Sequence, residues 1–173
     1  MTSCSQNTSL VEVLKEELKL YKLPSYLGGL NPIEFDKKVR PLKKKLQRLD
    51  TDGKIAKLFL EDNVREYKVN GLYVRELTIP KGSVILSRVH KYSLVNIISK
   101  GIVIVIDSNG TNIYEAPHTF ISEAGTQRLV FASQDSVWNT AHSTEATNNF
   151  VEELTLADYT EFLTFNNQLE HKE

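Results

Sequence analysis

The stretch GSVILSRVHKYSLVNIISKG, residues 82–101, follows a Pro80-Lys81-Gly82 turn and leads directly into IVIVI, the most apolar run of the chain. Alternate side chains of a β-strand point to the same face, so a strand here places Arg88, His90 and Tyr92 together. A polar face beside a strand that is apolar enough to be buried is typical of a pocket wall. The stretch therefore predicts a β-fold built around a polar pocket.

The chain has 173 residues, of which 21 are Lys or Arg and 22 are Asp or Glu, giving a net charge of −1. This length is typical of one domain, and the charge argues against a general nucleic-acid or membrane binder. The one cysteine, Cys4, cannot form an intrachain disulfide, which favours a reducing compartment. The sequence MTSCSQNTSL lacks the features of a secretory signal, and no apolar run approaches the ~20 residues of a membrane span. We expect a cytoplasmic protein.

Helical spacing of apolar residues appears near both ends of the chain. It predicts a first helix over residues 10–22 and a second helix that begins at Asn31-Pro32, where an N-cap residue precedes proline. Proline inside a helix removes a hydrogen bond, so we expect a kink or a restart at Pro41. A closing helix is predicted over residues 155–165.

The middle of the chain has the pattern of an antiparallel β-protein. Residues 64–69 and 72–79 flank Asn70-Gly71, a strong signal for a two-residue hairpin. Further turn signals separate short runs rich in Val, Ile, Thr, Tyr and Phe, which predicts about eight strands in a sandwich or barrel. The predicted organisation is a helical segment (1–54), a β-barrel (55–150), and a helix with a tail (151–173).

Further polar residues on neighbouring strands are expected to meet His90 if its face lines the interior. These candidates are Asn96, Arg128 and His142. A buried arginine needs an anionic partner, for which Glu76, Glu123 or a bound ligand are the candidates. Tyr73, Phe131 and Trp138 are candidates for the apolar walls of such a pocket, but core packing is the favoured interpretation of all three.

From about residue 72 to residue 142 the chain resembles the cupin superfamily. The first cupin motif has a glycine, His-x-His, a glutamate and a closing glycine, and these positions hold Gly82, His90, Tyr92, Asn96 and Gly101. The second motif, Pro-x-Gly-x-x-His, corresponds to EAGTQR at residues 123–128, so Arg128 stands at the place of a histidine. Within the superfamily, the chain resembles the small cupin-like proteins of some tailed bacteriophages. The resemblance implies a mainly β fold, a cupin-like antiparallel β-barrel (jelly roll) with two N-terminal helices and a C-terminal helix.

The same resemblance bears on chemistry, because cupin metal sites use three histidines and a glutamate. Of the four ligand positions, only that of His90 holds the usual residue in this chain, and the guanidinium of Arg128 has no lone pair to give to a metal. Three interpretations remain open: a divalent transition metal held by His90 and His142, a hydrogen-bonded interior histidine, or a metal-free site for a small polar or anionic molecule. The side chains of that metal-free site are Arg88, His90, Tyr92, Asn96, Arg128 and His142.

The leading functional hypothesis is a small-molecule-binding or sequestering protein with a degenerate metal site, no cofactor and no catalytic residue. The resemblance implies a homodimer and, for a phage-encoded chain, capture of a metabolite or nucleotide signal in the host cytoplasm. One alternative is a metal-dependent cupin enzyme of the dioxygenase or isomerase type. Another is a structural or virion-assembly protein. The basic residues between Lys37 and Arg48 are interpreted as the solvated face of a helix, which makes nucleic-acid binding unlikely.

Overall fold

A computed structural model of the protein describes residues 30–49, 62–143 and 153–170. Cys4 and the helix predicted over residues 10–22 lie outside these ranges. Within them the protein is mainly β, and none of the helices found there is long and apolar enough to cross a membrane. The helices are α1 (Pro32–Leu49) and α2 (Tyr159–Glu170), and the strands are β1 (Val64–Val69), β2 (Leu72–Ile79), β3 (Val84–Leu86), β4 (Val89–His90), β5 (Leu94–Lys100), β6 (Ile102–Asp107), β7 (Gly110–Glu115), β8 (His118–Ser122), β9 (Leu129–Ala132), β10 (Ser136–Ser143) and β11 (Thr155–Leu156).

The strands pair as a long hairpin folded back on itself. The innermost antiparallel pair is β6 with β7, and β5–β8, β3–β9 and β2–β10 enclose it in turn. These pairs are divided between sheet A, with the order β1-β2-β10-β5-β8, and sheet B, with the order β3-β9-β6-β7. Nested antiparallel pairs shared between two sheets are the arrangement of a jelly roll.

The two sheets pack face to face around one apolar core. Ile79 and Ile98 of sheet A meet Val103, Val105 and Val130 of sheet B, and all five are buried. The described strands form separate sheets, so the predicted barrel is not closed by a continuous ladder of hydrogen bonds. The predicted jelly roll therefore takes the form of a sandwich, in which side-chain packing joins the layers.

Strand β6 is buried on both faces, which explains its unbroken apolar sequence. Its inward residues Val103 and Val105 enter the core between the sheets. On the opposite face, Ile106 packs with Phe35 and Val39 of α1. Helix α1 therefore covers part of the outer surface of sheet B, and a strand covered on both sides loses the usual polar alternation.

Helix α1 begins where the sequence predicts it. The side chain of Asn31 accepts a hydrogen bond from the backbone N–H of Glu34, at 3.0 Å. The alternative of a restart at Pro41 is wrong, because α1 continues without interruption to Leu49. Proline leaves the carbonyl of Lys37 without its helical donor, and both residues are exposed, so water can satisfy that carbonyl.

The C-terminal helix begins later than predicted. Thr155 and Leu156 form β11, which pairs with His90 and Val89 of β4. The backbone N–H of Glu161 then donates to Asp158 at 3.1 Å, while the Glu161 carboxylate accepts from the N–H of Ala157 at 2.7 Å. Asp158 is thus the N-cap of α2, and Glu161 binds the N–H of the residue before the cap; the D-x-x-E spacing was a sequence signal for this start.

A glycine comparison tests how tightly the two sheets are joined at one end. Gly101 and Gly71 both have φ +80°, but a Cβ on Gly101 would meet the Ser136 hydroxyl and lie 2.5 Å from the Asp135 carbonyl, whereas one on Gly71 meets nothing within 4 Å. We expect Gly71→Ala to lower the free energy of unfolding by about 1–2 kcal/mol, the usual cost of a left-handed conformation. Gly101→Ala should cost at least about 1 kcal/mol more, because backbone must move. Urea denaturation measures both, and equal losses would contradict the packing described.

Candidate functional site

The inner face of sheet A is polar at one end. Strand register places His142 opposite Tyr73 and places Thr140 between Arg75 and Asn96. Asn96, His142 and Tyr73 are buried, and Arg75 is partly buried. In the next row along the strands Trp138 lies between Leu77 and Ile98, so that end is apolar. The inner face of sheet A therefore changes from polar to apolar rows along its strands.

Sheet B adds a buried ion pair to the polar end. Arg128 and Asp107 are 4% and 6% exposed, and Arg128 Nε lies 3.6 Å from Asp107 Oδ2. Burial lowers the pKa of Arg128, while the Asp107 charge opposes that shift. The backbone of Arg128 is fixed by Ser87, whose Oγ accepts from the Arg128 N–H at 2.9 Å and whose own N–H donates to the Arg128 carbonyl at 2.8 Å.

A chain of hydrogen bonds connects this ion pair to sheet A. The Arg128 guanidinium donates through Nη2 to the hydroxyl of Ser122, which also accepts a hydrogen bond from Asn96 Nδ2. Asn96 Oδ1 in turn accepts from Trp138 Nε1 at 3.1 Å. Side chains from β5, β8 and β10 are therefore joined to a buried cation from the facing sheet. Polar groups in a low-dielectric interior need such partners.

Two histidines complete the polar end. His90 on β4 and His142 on β10 are 8% and 3% exposed, and their ring centroids lie 5.9 Å apart. Burial, followed by the charges of Arg128, His142 and Arg75, lowers the pKa of His90 to about 3. Burial and the Arg75 charge lower the pKa of His142 to about 4. Both imidazoles are therefore neutral at pH 7.

We call this group of side chains the polar cluster. It contains Tyr73, Arg75, His90, Asn96, Asp107, Ser122, Arg128, Thr140 and His142. At its margin the hydroxyl of Tyr73 donates to the exposed Glu66 carboxylate at 2.6 Å, and burial raises the pKa of that phenol.

The prediction that Arg88, His90 and Tyr92 share one strand face is wrong. Residues 82–101 form β3, β4 and β5, separated by breaks at residues 87–88 and 91–93, so the alternation does not continue through the stretch. Arg88 is exposed and its Nε donates to Thr155 Oγ1 at 2.9 Å. Tyr92 is also exposed and packs edge-on against Phe165. Of the three, only His90 is buried and faces His142.

The partner of the buried arginine also differs from the prediction. Glu76 lies 3.7 Å from Arg65, and Glu123 accepts a hydrogen bond from the hydroxyl of Ser93. The carboxylate beside Arg128 is that of Asp107 instead. Strands β6 and β9 are paired, and Arg128, just before β9, lies on the same face as the inward residues of β6, which include Asp107. The sequence DSNG at residues 107–110 predicted only a turn and gave no sign that Asp107 lies beside Arg128.

Sequence reasoning missed Arg75, Ser122 and Thr140. The sequence contained a signal for Arg75. Residues two apart on a strand lie on one face, so the strand after the Asn70-Gly71 turn places Arg75 on the same face as Leu77 and Ile79. Ser122 and Thr140 had none, since short polar residues are common on either face of a strand. Of the predicted apolar walls, Tyr73 and Trp138 face inward, whereas Phe131 packs with Ile102 and Ile104 on the far side of sheet B.

The donor set does not fit a resident divalent metal. The part of the chain that the structure describes contains no group of three or more His, Cys, Asp or Glu side chains placed to hold a metal ion. His90 and His142 are close to each other, but the Arg128 and Arg75 charges that lower the pKa of His90 also repel a metal cation. Asn96 is already engaged by Trp138 and Ser122. No metal-dependent step is therefore derived for this site.

Comparison with known proteins gives likenesses to solved structures that cover about half of the chain. No protein-family model and no curated protein matches the chain. Solved structures similar to it include a cupin-2 domain protein from Shewanella frigidimarina (10% identity, 46% of this chain and 78% of that one, TM-score 0.40). Others are KdgF from Halomonas sp. (11%, 51% and 82%, 0.44) and salicylate 1,2-dioxygenase from Pseudoaminobacter salicylatoxidans (13%, 47% and 24%, 0.43). The fold assignment rests on the strand order of the two sheets.

The neutral histidines predict a stability that falls in acid. Because the folded pKa values of His90 and His142 lie below the ordinary 6.5, the unfolded chain binds more protons between pH 6.5 and about 4. Their contribution is therefore complete above pH 6.5 and decreases as the pH falls through that range. We expect a loss of up to about 2 kcal/mol for each histidine at pH 5.

Urea denaturation of the wild type, His90→Gln and His142→Gln at pH 7 and pH 5 measures this effect. Each substitution should reduce the difference between the two pH values by about 2 kcal/mol. A pH dependence that both variants leave intact would contradict the assignment of buried, neutral imidazoles.

Proposed function

We propose that the protein binds and sequesters a small anionic molecule at the polar cluster between its two sheets. The observation that carries this proposal is a pair of buried imidazoles whose ring centroids lie 5.9 Å apart, with the Arg128 and Arg75 charges acting on His90 and the Arg75 charge acting on His142. The leading hypothesis from the sequence thus acquires a specific set of groups and a preferred ligand charge.

The chemistry of the cluster favours an acceptor-rich ligand. Guanidiniums only donate hydrogen bonds, and each neutral imidazole contributes one donor and one acceptor. Arg75 and Arg128 contribute two positive charges and Asp107 contributes one negative charge, while the Glu66 carboxylate at the margin of the cluster also acts on Arg75. An anion binding there gains hydrogen bonds to charged donors in a region of low dielectric constant, where such bonds are stronger than in water.

Binding is favoured over catalysis because of the histidine pKa values. An efficient general acid or base at neutral pH has a pKa close to the working pH. His90 and His142, at about 3 and about 4, stay neutral and change their protonation state only in acid. They suit recognition of a ligand through fixed hydrogen bonds. We therefore assign sequestration of a metabolite or nucleotide, without turnover, as the function.

A thermal-shift screen of the full chain against anionic metabolites and nucleotides tests the proposal. A ligand present at one hundred times its Kd stabilises the folded state by about 2.7 kcal/mol, which raises the Tm by several degrees. Neutral and cationic compounds of similar size serve as controls. The absence of any shift across the anionic compounds, in protein that native mass spectrometry shows to be ligand-free, would overturn the proposal.

A pair of arginine variants locates the binding site. Arg75 faces the polar cluster, whereas Arg65 on the neighbouring strand is exposed, its side chain 78% accessible, and pairs with Glu76. Removing one charged hydrogen-bond donor typically costs 1.5–3 kcal/mol, so Arg75→Gln should weaken binding of a compound found in the screen by about 10- to 100-fold. Arg65→Gln should leave the Kd unchanged. Equal effects of both variants, measured by calorimetry, would place the anion elsewhere.

A further inference from the structure

The donors and acceptors around Ser122 can be assigned from chemistry alone. The indole N–H of Trp138 can only donate, so the atom of Asn96 that faces it at 3.1 Å is the carbonyl oxygen. The amide nitrogen of Asn96 therefore faces Ser122 and donates to its hydroxyl. The orientation of this amide is fixed by its neighbours.

The hydroxyl of Ser122 consequently has an unfilled donor. Its oxygen accepts from Asn96 Nδ2 and from Arg128 Nη2, and neither nitrogen can accept a hydrogen bond in return. Within residues 30–49, 62–143 and 153–170 these are the two hydrogen bonds of that hydroxyl, and Ser122 is 2% exposed. No described residue therefore accepts the hydrogen of the Ser122 hydroxyl.

A second unfilled donor lies on the group bonded to Ser122. The Nε–H of Arg128 is buried and makes no hydrogen bond, since the 3.6 Å to Asp107 Oδ2 is too long for one. Leaving a buried donor of a charged group unsatisfied costs more than leaving a neutral one. Two adjacent buried donors thus lack an acceptor in the same part of the interior.

We propose that Ser122 and Arg128 form an oxyanion subsite, in which a carboxylate or phosphate group of the bound anion accepts hydrogen bonds from Ser122 Oγ–H and Arg128 Nε–H. This inference rests on the proposed function and adds the class of chemical group that the site recognises. An oxyanion brings only acceptors to these two adjacent donors.

Calorimetric titration of the full chain at pH 7 with inorganic phosphate and with succinate tests the subsite and separates the two oxyanion classes. We expect at least one of them to bind the wild type. Ser122→Ala should weaken that binding about tenfold, as expected for loss of one hydrogen bond to a charged group. Ser122→Thr, which keeps the hydroxyl, should remain within about threefold of the wild type. Ser99→Ala is the matched control, because Ser99 is an exposed serine on β5 of the same sheet.

The Tm of each ligand-free variant is measured first, because Ser122 also holds Asn96 and Arg128 in place. Should Ser122→Ala be unfolded, Arg128→Lys, which keeps the charge but lacks an Nε–H donor, replaces it with the same expected tenfold loss. An anion that binds the wild type and Ser122→Ala (or, in its place, Arg128→Lys) equally, yet depends on Arg75, would overturn the oxyanion subsite and leave the proposed function standing. Failure of phosphate and succinate to bind, while other anions bind, would also overturn the subsite alone. Failure of every anion would overturn both.

Discussion

A guanidinium buried between two β-sheets is the constraint on which the interior of this protein depends. Arg128 cannot be left without partners in a low-dielectric interior, and each neighbouring group responds to it. Asp107 supplies the compensating charge, Ser122 supplies an acceptor, and Ser87 holds the backbone of Arg128 through two hydrogen bonds. The positive charge of Arg128 also acts on His90 and opposes its protonation. The polar end of the sandwich is thus organised by one cation.

That constraint explains why this interior differs from a metal centre. A divalent metal requires neutral or anionic ligands that converge, and its charge must be balanced by them. Here a fixed positive charge already occupies the region, with one carboxylate beside it and with Asn96 oriented by Trp138. The two histidines are left as hydrogen-bonding groups in a positive field. Such a field disfavours metal cations.

The fold could be predicted from sequence where the signals were local. Asn70-Gly71 predicted a hairpin, Asn31 predicted a helix start, and the apolar run of β6 indicated a buried strand. Long-range placement could not be predicted in the same way. The prediction that alternate residues of 82–101 share a face required one continuous strand. Arg88 and Tyr92 instead lie in breaks between strands, where Arg88 bonds to β11 and Tyr92 packs against α2.

The candidate site was predictable only in part for a related reason. His90, Asn96, Arg128 and His142 have side chains unusual enough in apolar strands to attract attention. Asp107 and Ser122 belong to types that fill turns and exposed faces throughout the chain. Their importance comes from the pairing of strands that are distant in sequence, which no local pattern encodes.

The nested pairing of the strands has a consequence for how the protein folds. The inner hairpin joins residues as close as Asp107 and Gly110, whereas the outer pair joins Leu72 to Ser143 and must close a long loop. Tyr73, Arg75, Thr140 and His142 all belong to that outer pair. Contacts of this kind form late, because the entropy of loop closure is lost before they stabilise the chain. A ligand that bridges these strands therefore slows unfolding more than it accelerates folding, so the lifetime of the native state becomes a measure of occupancy.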